Sequence, residues 1–534
     1  MKNIFKNIFS KKEQPAPKQV VHRFSYDAAR ITRWTADFIT ELGTINREIK
    51  NDLVAVRNRA RSLWKNSSIV RAFRKRLISD VVGRDGFKLQ MRVKNDAGEN
   101  DQDANNKLEK AWEEWSKKEF CTMGKTLTLT QVCYLLIEGY KRDGEFICRF
   151  IEDTNVNKFG FSLELIEPDL LDEHYNIELP NGNVIIMGIE LNNWKQPINY
   201  HFKKSSIADE LRGNYSFSQP TGIHLPVPAE EILHLFDPEH SNQVRGISHL
   251  APVMIDLHNL KGYDEAAIIA ARVGASKTII IETEKNVETT EDAEDAEGNQ
   301  LQYLSHGEIE YLNPGEKVAS WTPDYPHDQY SEFIKACYRR IAVALGVNYN
   351  SLMSDLEGVN FSSMRSGLLM ERDQWFVDQS FIICNFLEVI FERWLKNVQF
   401  ISLLQKTKTL DLPYNPGKYN QSEFFGRTYP WVDPFKDVQA TALALDYNLT
   451  TVTRELKRQG LDFDDMLDER KNEIDKMKEA GITSSKDPNN SYQMVDDKKD
   501  EDDNNKEEKN TLLLDIIKIA KKHGNGHFKK LIEQ

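Results

Sequence analysis

Two helical segments on either side of a short insert constrain the fold of this chain most strongly. The first, 252–277, continues without an internal proline after its opening residue, for roughly 25 residues or 38 Å at the rise of an α-helix. The second has apolar residues at helical spacing over 333–345 and is closed by Gly346. The strand-rich insert between them, 278–324, carries eight carboxylates and one lysine within 282–297, which is typical of a solvated loop.

A further helical region lies near the N-terminus. Apolar residues recur at three- and four-residue spacing over 53–81, the polar triplet 66–68 interrupts them, and Gly83 follows. The pattern predicts two helices, the second ending at this glycine. Eight basic residues and no acidic one fall within 57–76. We favour a solvated helix face for this basic run, and contact with phosphates or with an acidic neighbour is the alternative.

Strand signals dominate the next segment, 87–236. Apolar and polar residues alternate over 87–93, and Trp112 and Trp115 lie on a short predicted helix among the strands. Four later runs lie between turn residues such as Asn181-Gly182 and Asn192-Asn193: 145–151, 161–166, 184–191 and 197–202. The segment therefore predicts an α+β domain with an antiparallel sheet.

The C-terminal half is predicted to be mainly helical. A polar, glycine-containing loop over 348–361 precedes a helical run of about forty residues that begins near Ser362. The aromatic residues of this run are expected to be packing anchors; they are Trp375, Phe376, Phe381, Phe386, Phe391 and Trp394. A helical pair is expected over 435–480, with Gly460 between its members. Beyond it, 481–534 has the composition of a disordered acidic tail, with a short terminal helix at its apolar patch.

Motif spacing argues against catalytic and metal-binding chemistry. The five cysteines are widely spaced without a CxxC pair, which disfavours a disulfide scaffold or a cysteine zinc site and places the chain in a reducing cytoplasm. The segment 123–126 reads MGKT, but Glu119 stands where a phosphate-binding loop requires glycine. His234, His240 and His249 are not at helical metal-ligand spacing. We expect no catalytic residue, cofactor or metal, and a mechanical or structural role.

Charge and hydropathy limit the partners. The net charge is −13, which disfavours tight wrapping of a nucleic-acid backbone but leaves room for a surface that DNA slides past. No run approaches the roughly 18 consecutive apolar residues that a membrane span requires, and no apolar stretch follows the basic N-terminal residues. We expect no membrane partner and no secretory signal.

Eight short motifs follow one another along residues 25–480. In chain order they are RNRAR at 57–61, VVG at 81–83, GIEL at 188–191 with YHF at 200–202, HLF at 234–236 with QVRGIS at 243–248, AAR at 270–272, LNPGE at 312–316, IAVALGV at 341–347, and Asp355 with NFSSMR at 360–365. In this order they resemble the lambda-type portal proteins of tailed bacteriophages.

The resemblance implies a portal-type subunit of α+β class. Its parts would be a flexible N-terminal arm (1–25), a wing of helices and antiparallel sheet (26–248), stem helices (249–277 and 328–346), a small strand-rich clip (278–327), a tunnel loop (347–361), a long wing helix (362–407), a helical crown (408–480) and the acidic tail (481–534).

The resemblance also implies a non-enzymatic homo-oligomeric ring of about twelve subunits at one capsid vertex, assembled in the host cytoplasm and retained in the virion. Double-stranded DNA would pass non-specifically through its channel during packaging and ejection. Expected partners are the terminase large subunit, the major capsid and scaffold proteins and a head–tail adaptor. The implied channel residues are Ser351, Ser354, Asp355, Gly358, Asn360, Phe361, Ser362, Ser363 and Arg365, and the implied clip contacts for terminase or adaptor are Asn313, Pro314, Gly315 and Glu316.

The side chains of the tunnel loop suggest how DNA would be contacted. Asn360 and Ser362 can donate hydrogen bonds to passing phosphates. Arg365 can add a charge there or bond neighbouring carboxylates, and the sequence leaves both open. Two other functions compete with a portal: a nucleic-acid-processing enzyme of the packaging machinery, and a minor head or scaffold-binding protein. The missing phosphate loop and metal spacing disfavour the first, and the second does not require two long helices around an insert.

Overall fold

The computed structural model describes residues 43–204, 224–275, 280–283, 316–319, 330–405, 409–429, 434–461 and 463–479. The expected N-terminal arm, most of the expected clip and the expected acidic tail lie outside the described residues. The chain divides into two compact units, one ending at Asp462 and the other beginning at Phe463.

The N-terminal helices form as the apolar spacing predicts. Helix α1 (Ile45–Asn66) ends at Ser67, whose backbone is extended and whose hydroxyl accepts a backbone N–H of the next helix at 3.4 Å. Helix α2 (Ser68–Arg76) therefore begins there, and a π-helical turn (Leu77–Val82) continues it to Gly83. The predicted break and the predicted end are both confirmed.

Helices and antiparallel strands alternate in the following region. The helices are α3 (Gln102–Trp115), α4 (Lys118–Cys121) and α5 (Leu129–Arg142). The strands are β1 (Lys88–Met91), β2 (Glu145–Glu152), β3 (Phe161–Ile166), β4 (Ile177–Glu178), β5 (Val184–Ile186), β6 (Ile189–Leu191), β7 (Pro197–Lys203), β8 (His224–Pro228) and β9 (Ile232–Phe236). One sheet has the order β3-β2-β9 and another β4-β5-β6-β7-β8, with every neighbouring pair antiparallel. The mixed α+β class is confirmed.

One predicted strand is divided in the structure. The apolar run 184–191 was expected to be a single strand, and this was wrong because β5 and β6 form a hairpin within it. Met187 and Gly188 make the turn with φ angles of 48° and 84°. Two successive residues in the left-handed conformation reverse the chain direction. A turn this short does not interrupt the run of apolar residues, so the sequence pattern does not show it.

Long helices follow the sheets. They are α6 (Met254–Ala275), α7 (Tyr330–Ala344), the short α8 (Tyr349–Met353), α9 (Phe361–Ile382) and α10 (Glu388–Gln405), the last two joined by a π-helical turn (Ile383–Leu387). Strands β10 (Ile280–Thr283) and β11 (Glu316–Ala319) pair antiparallel between α6 and α7. Helix α11 (Pro416–Tyr419) and β12 (Ser422–Phe425) come next, and β12 pairs with β1.

The region 435–480 contains three helices where two were predicted. They are α12 (Pro434–Asp446), α13 (Val452–Arg458) and, in the second compact unit, α14 (Phe463–Glu479). Asn448 at a φ of 54° ends the first helix, and the Thr451 hydroxyl accepts the Arg454 amide and begins the next. The expected break at Gly460 is present. The additional break arises from a local turn and cap that the helical spacing does not reveal.

An aromatic cluster joins the long helix to the sheet region. Trp112 and Trp115 of α3 lie against Trp394 of α10, with ring centroids 5.2 and 6.4 Å apart, and Trp112 also contacts Phe391 and Phe424. Trp375 and Phe386 are buried as well, whereas Phe376 is about half exposed. Most of the predicted aromatic anchors therefore pack in the core. Within the described part of the chain, no helix is long and apolar enough to span a bilayer.

Candidate functional site

The expected tunnel loop is shorter than the sequence suggested. Residues 349–353 form α8, so the prediction of a loop was wrong for them, and Ser351 lies on a helix. Asn348 explains the difference, because its side-chain oxygen accepts the Asn350 amide at 2.9 Å and caps the helix. Leu352 then becomes buried. The irregular part begins at Ser354, whose φ of 54° ends α8.

The remaining loop is fastened at its base. The Asp355 carboxylate accepts hydrogen bonds from the Tyr349 hydroxyl at 2.8 Å and the Glu357 amide at 3.1 Å. These bonds, the Tyr349 hydroxyl first, hold the pKa of Asp355 below its ordinary value, and nearby Lys335 adds to the effect. Lys335 also lies 3.0 Å from the Glu357 carboxylate. The base of the loop is thus tied to α7 and α8.

The tip of the loop is open. Leu356 is 61% exposed, and a Cβ added to Gly358, at a φ of 68°, would meet no atom within 4 Å. Asn360 ends the loop as the cap of α9, since its side-chain oxygen accepts the amide and hydroxyl of Ser363 at 2.7 and 2.8 Å. The Ser362 side chain is exposed. The side chain of Phe361 lies outside the described residues.

Arg365 has a protein partner. Its guanidinium donates to the Asp437 carboxylate of α12 at 2.9 Å, with 35% of the arginine side chain exposed. Of the two possibilities that the sequence left open, the structure contains the bond to a carboxylate. That carboxylate lies 72 residues further along the chain, so helical spacing does not identify it.

Helix α8 is anchored to α2 by one arginine. Arg76 donates to the Ser351 carbonyl oxygen at 2.7 Å and lies 3.4 Å from the Asp80 carboxylate. Beneath them, Glu371 of α9 is 6% exposed. Its carboxylate makes no hydrogen bond of good geometry, although Ser351 is close, and burial raises its pKa. The loop therefore packs above a buried carboxyl group, that of Glu371, whose oxygens lack well-formed hydrogen bonds.

The expected clip contacts are only partly described. Glu316 begins β11 and pairs with Thr283 of β10. Asn313, Pro314 and Gly315 lie outside the described residues.

A buried charge cluster that was not predicted from the sequence joins three of the motif segments, RNRAR, HLF and QVRGIS. Glu145 is fully buried, and its two oxygens accept bonds from Arg57 at 2.7 Å, Arg245 at 2.5 and 2.9 Å, and His234 at 3.0 Å. Burial opposes ionisation, but the charge and hydrogen bonds of Arg245, helped by His234 and Arg57, hold the pKa of Glu145 well below its ordinary value. Burial in turn lowers the pKa of His234.

Two glycines allow the cluster to close. A Cβ on Gly144, at a φ of 85°, would lie 2.2 Å from the Ile247 carbonyl carbon, and one on Gly246 would lie 2.0 Å from the Gly144 oxygen. No side chain fits at either position, so the backbones beside Glu145 and Arg245 can touch. A signal for the cluster exists in the sequence: Arg57 continues the buried spacing of Leu53 and Ala60, and a buried arginine requires a buried carboxylate.

Half of the basic run within 57–76 is paired internally. The four paired residues are Arg57 with Glu145, Arg61 with Asp143 and Asp169, Arg74 with Glu138, and Arg76 with Asp80. Our preference for a solvated face was therefore wrong for these four, and the acidic-neighbour alternative describes them. For three of the four the reason is that the carboxylates are distant in sequence: Glu138, Asp143, Glu145 and Asp169 come from α5, β2 and nearby turns. Only Asp80 is local, four residues after Arg76 in the π-helical turn.

Two of the three histidines considered in the sequence have partners within the protein. His234 is committed to Glu145, and the ring of His249 lies 4.6 Å from that of Tyr140. No group of three metal-ligating side chains is present among the residues that the structure describes.

Comparison with known proteins gives consistent sequence matches. Residues 32–379 match the family model described as phage portal protein, lambda family, which spans more than half of the chain. A probable portal protein of Halomonas phage phiHAP-1 is 32% identical over 478 residues, 88% of this chain and 90% of its own length. Portal protein B of Escherichia phage lambda is 19% identical over 400 residues, 70% of this chain and 74% of its own.

Solved structures give a weaker match. A chain from the neck of an empty GTA particle matches with a TM-score of 0.38 and 13% identity, covering 77% of this chain and 93% of its own. A chain from the virion of a native gene transfer agent matches over the same shares with 12% identity.

Proposed function

The chain belongs to the lambda family of phage portal proteins, and from this we propose that it forms the conduit through which duplex DNA enters and leaves a tailed-phage head, with the loop 354–360 facing the passing DNA. As a portal protein it is a structural component of the virion, acts as part of an oligomeric ring, and is not an enzyme. We expect a closed ring with cyclic symmetry and about twelve subunits.

One observation carries the assignment of the channel wall. The chain runs along α6, through the paired strands β10 and β11, and back along α7. Arg340 of α7 donates a hydrogen bond to the Asp256 carboxylate of α6 at 3.0 Å, so the two helices are in contact. Several of their large apolar side chains remain exposed. Helix pairs of this kind become a rigid tube when copies around an axis cover those side chains. We assign α6 and α7 to the stem and the insert between them to the clip.

The loop follows the stem helix α7 after the short helix α8. It begins five residues beyond the start of α8, is fastened to α7 through Lys335, and ends at the cap of α9. A loop held at both ends with a free tip can change position at little cost while its supports stay fixed. We assign it to the tunnel loop, α9–α10 to the long wing helix, and 408–480 to the crown.

Removal of the loop tip tests this assignment. Deletion of Leu356–Val359 should leave rings of normal size, because these residues contribute nothing to the buried core, and should reduce the DNA packaged or retained in heads. Replacement of the same four residues by Gly-Ser-Gly-Ser is the matched control for loop length. Wild-type DNA content after the deletion would place the constriction elsewhere, for example near Glu316.

The partners follow from the same assignment. The terminase large subunit and then the head–tail adaptor would contact the clip. The candidate contact residues in the clip remain Asn313, Pro314, Gly315 and Glu316. The capsid and scaffold proteins would contact the outer part of the ring.

Substitution of Glu316 by lysine should weaken terminase binding in a pull-down with assembled rings and leave ring formation intact. Unchanged capture of terminase would remove Glu316 from the contact.

A further inference from the structure

The exposed half of the basic run has no internal partner. Arg59, Lys65, Arg71 and Lys75 are exposed, and none of them makes an ion pair or hydrogen bond with another described residue. The acidic neighbours on the interior side are already paired with the other four basic residues. In a chain of net charge −13, this segregation leaves the exposed sides of α1 and α2 positively charged.

Two of these residues line a groove between α2 and α8. The groove has a volume of about 560 Å³, and one wall, formed by α2 and the π-helical turn that continues it, carries Ser68, Arg71, Lys75 and Ser79. These positions are three and four residues apart and so share one face of the helix. The opposite wall includes Ser354, at the start of the loop. Two free cations thus lie in a concave site bordered by hydroxyl groups.

The groove continues to the tunnel loop. A second cavity of about 350 Å³ shares Arg76, Ser351 and Ser354 with the first and is also lined by Leu356 of the loop tip. Arg76 is already used, since it bonds the Ser351 carbonyl and holds α8 in place. It shapes the wall between the cavities, while Arg71 and Lys75 remain available to a ligand.

We propose that the groove between α2 and α8 is a second DNA contact, binding the phosphate backbone of duplex DNA through Arg71 and Lys75 with hydroxyl groups alongside. Cations and serine hydroxyls are the usual phosphate donors in proteins. The proposal rests on the proposed function. Arg71 and Lys75 could instead bind carboxylates of a neighbouring copy, and the continuity of the groove with the tunnel loop is what favours DNA. Two cations per subunit give weak, sequence-independent binding, which is compatible with DNA that must keep moving.

The test compares assembled rings of the full chain with those of the double variant Arg71→Gln/Lys75→Gln. Binding of a fluorescent duplex of mixed sequence is measured over a range of salt concentrations. We expect the slope of log affinity against log salt to fall by about two for each subunit that contacts the duplex, because each subunit loses two phosphate contacts and each contact removes about 0.9. The affinity at about 0.1 M salt should fall at least about tenfold. Lys110→Gln/Lys118→Gln is the matched control: it removes the same charge from exposed lysines on α3 and α4 that have no partner among the described residues.

Two results would overturn the proposal. One is a salt slope in the groove variant equal to that of wild type or of the control. The other is loss of rings in the groove variant alone, measured by sedimentation velocity, which would assign the groove to a neighbouring copy. Failure of the wild type itself to form rings would instead contradict the proposed function. The salt slopes of the unassembled chains would then still decide whether the groove binds DNA.

Discussion

The region around Glu145 is completed within one chain, whereas the region around α6, α7 and the tunnel loop is not. Both oxygens of the buried Glu145 have charged partners. In contrast, Ile268 of α6 is 58% exposed and Val343 of α7 is 79% exposed. The difference indicates a subunit with a self-sufficient wing and a stem that other copies must complete.

The largest effect is expected in the self-sufficient region. Glu145→Gln leaves the buried Arg245 without a carboxylate partner and leaves Arg57 with Asp169 alone, so the free energy of unfolding should fall by about 3 to 5 kcal/mol. Urea denaturation measures this, with Glu178→Gln as the control because Glu178 is exposed on β4. A loss below about 1 kcal/mol, the range of a surface ion pair, would show that the cluster does not hold the wing together.

The second effect separates assembly from folding. Ile268→Glu/Val343→Glu places charges on exposed stem positions, so subunit melting should change little while rings are lost or become incomplete. Sedimentation velocity and thermal melting measure the two properties on one sample. Trp194→Glu is a control of similar exposure, 84%, in the turn between β6 and β7. Normal rings from the stem variant would mean that these side chains do not meet a neighbouring copy.

The smallest effect is a pH dependence at Glu371. Burial raises the pKa of Glu371 in the folded state, so folding favours the protonated carboxyl group. This contribution to stability is fully present below the pKa that Glu371 has in the unfolded chain. It is lost as the pH rises through the pKa of the folded state. Glu371→Gln should therefore melt at a higher temperature than wild type at pH 7, and the difference should shrink toward about pH 4. Asp373→Asn, an exposed acid two positions along α9, should not reproduce the trend. A variant that melts lower than wild type at pH 7 would show that the Glu371 charge is stabilising.

The sequence predicted what depends on local spacing. The breaks at Ser67, Gly83 and Gly460 and the strand 161–166 follow from caps, glycines and alternation, and the structure contains all of them. The contacts that shape the candidate site could not be predicted in this way. Glu145 meets Arg57 and Arg245 across 88 and 100 residues, and Arg365 meets Asp437 across 72. Such pairs depend on tertiary packing, which a periodic pattern does not encode.

The most direct test of the account is the mass and shape of the particle that the purified full chain forms. We expect a closed ring of about twelve copies of the 61.8 kDa subunit with an open axial channel, seen by native mass measurement and electron microscopy. A stable, monodisperse monomer under every salt condition at micromolar concentration would contradict the claim that the stem is completed by neighbouring copies.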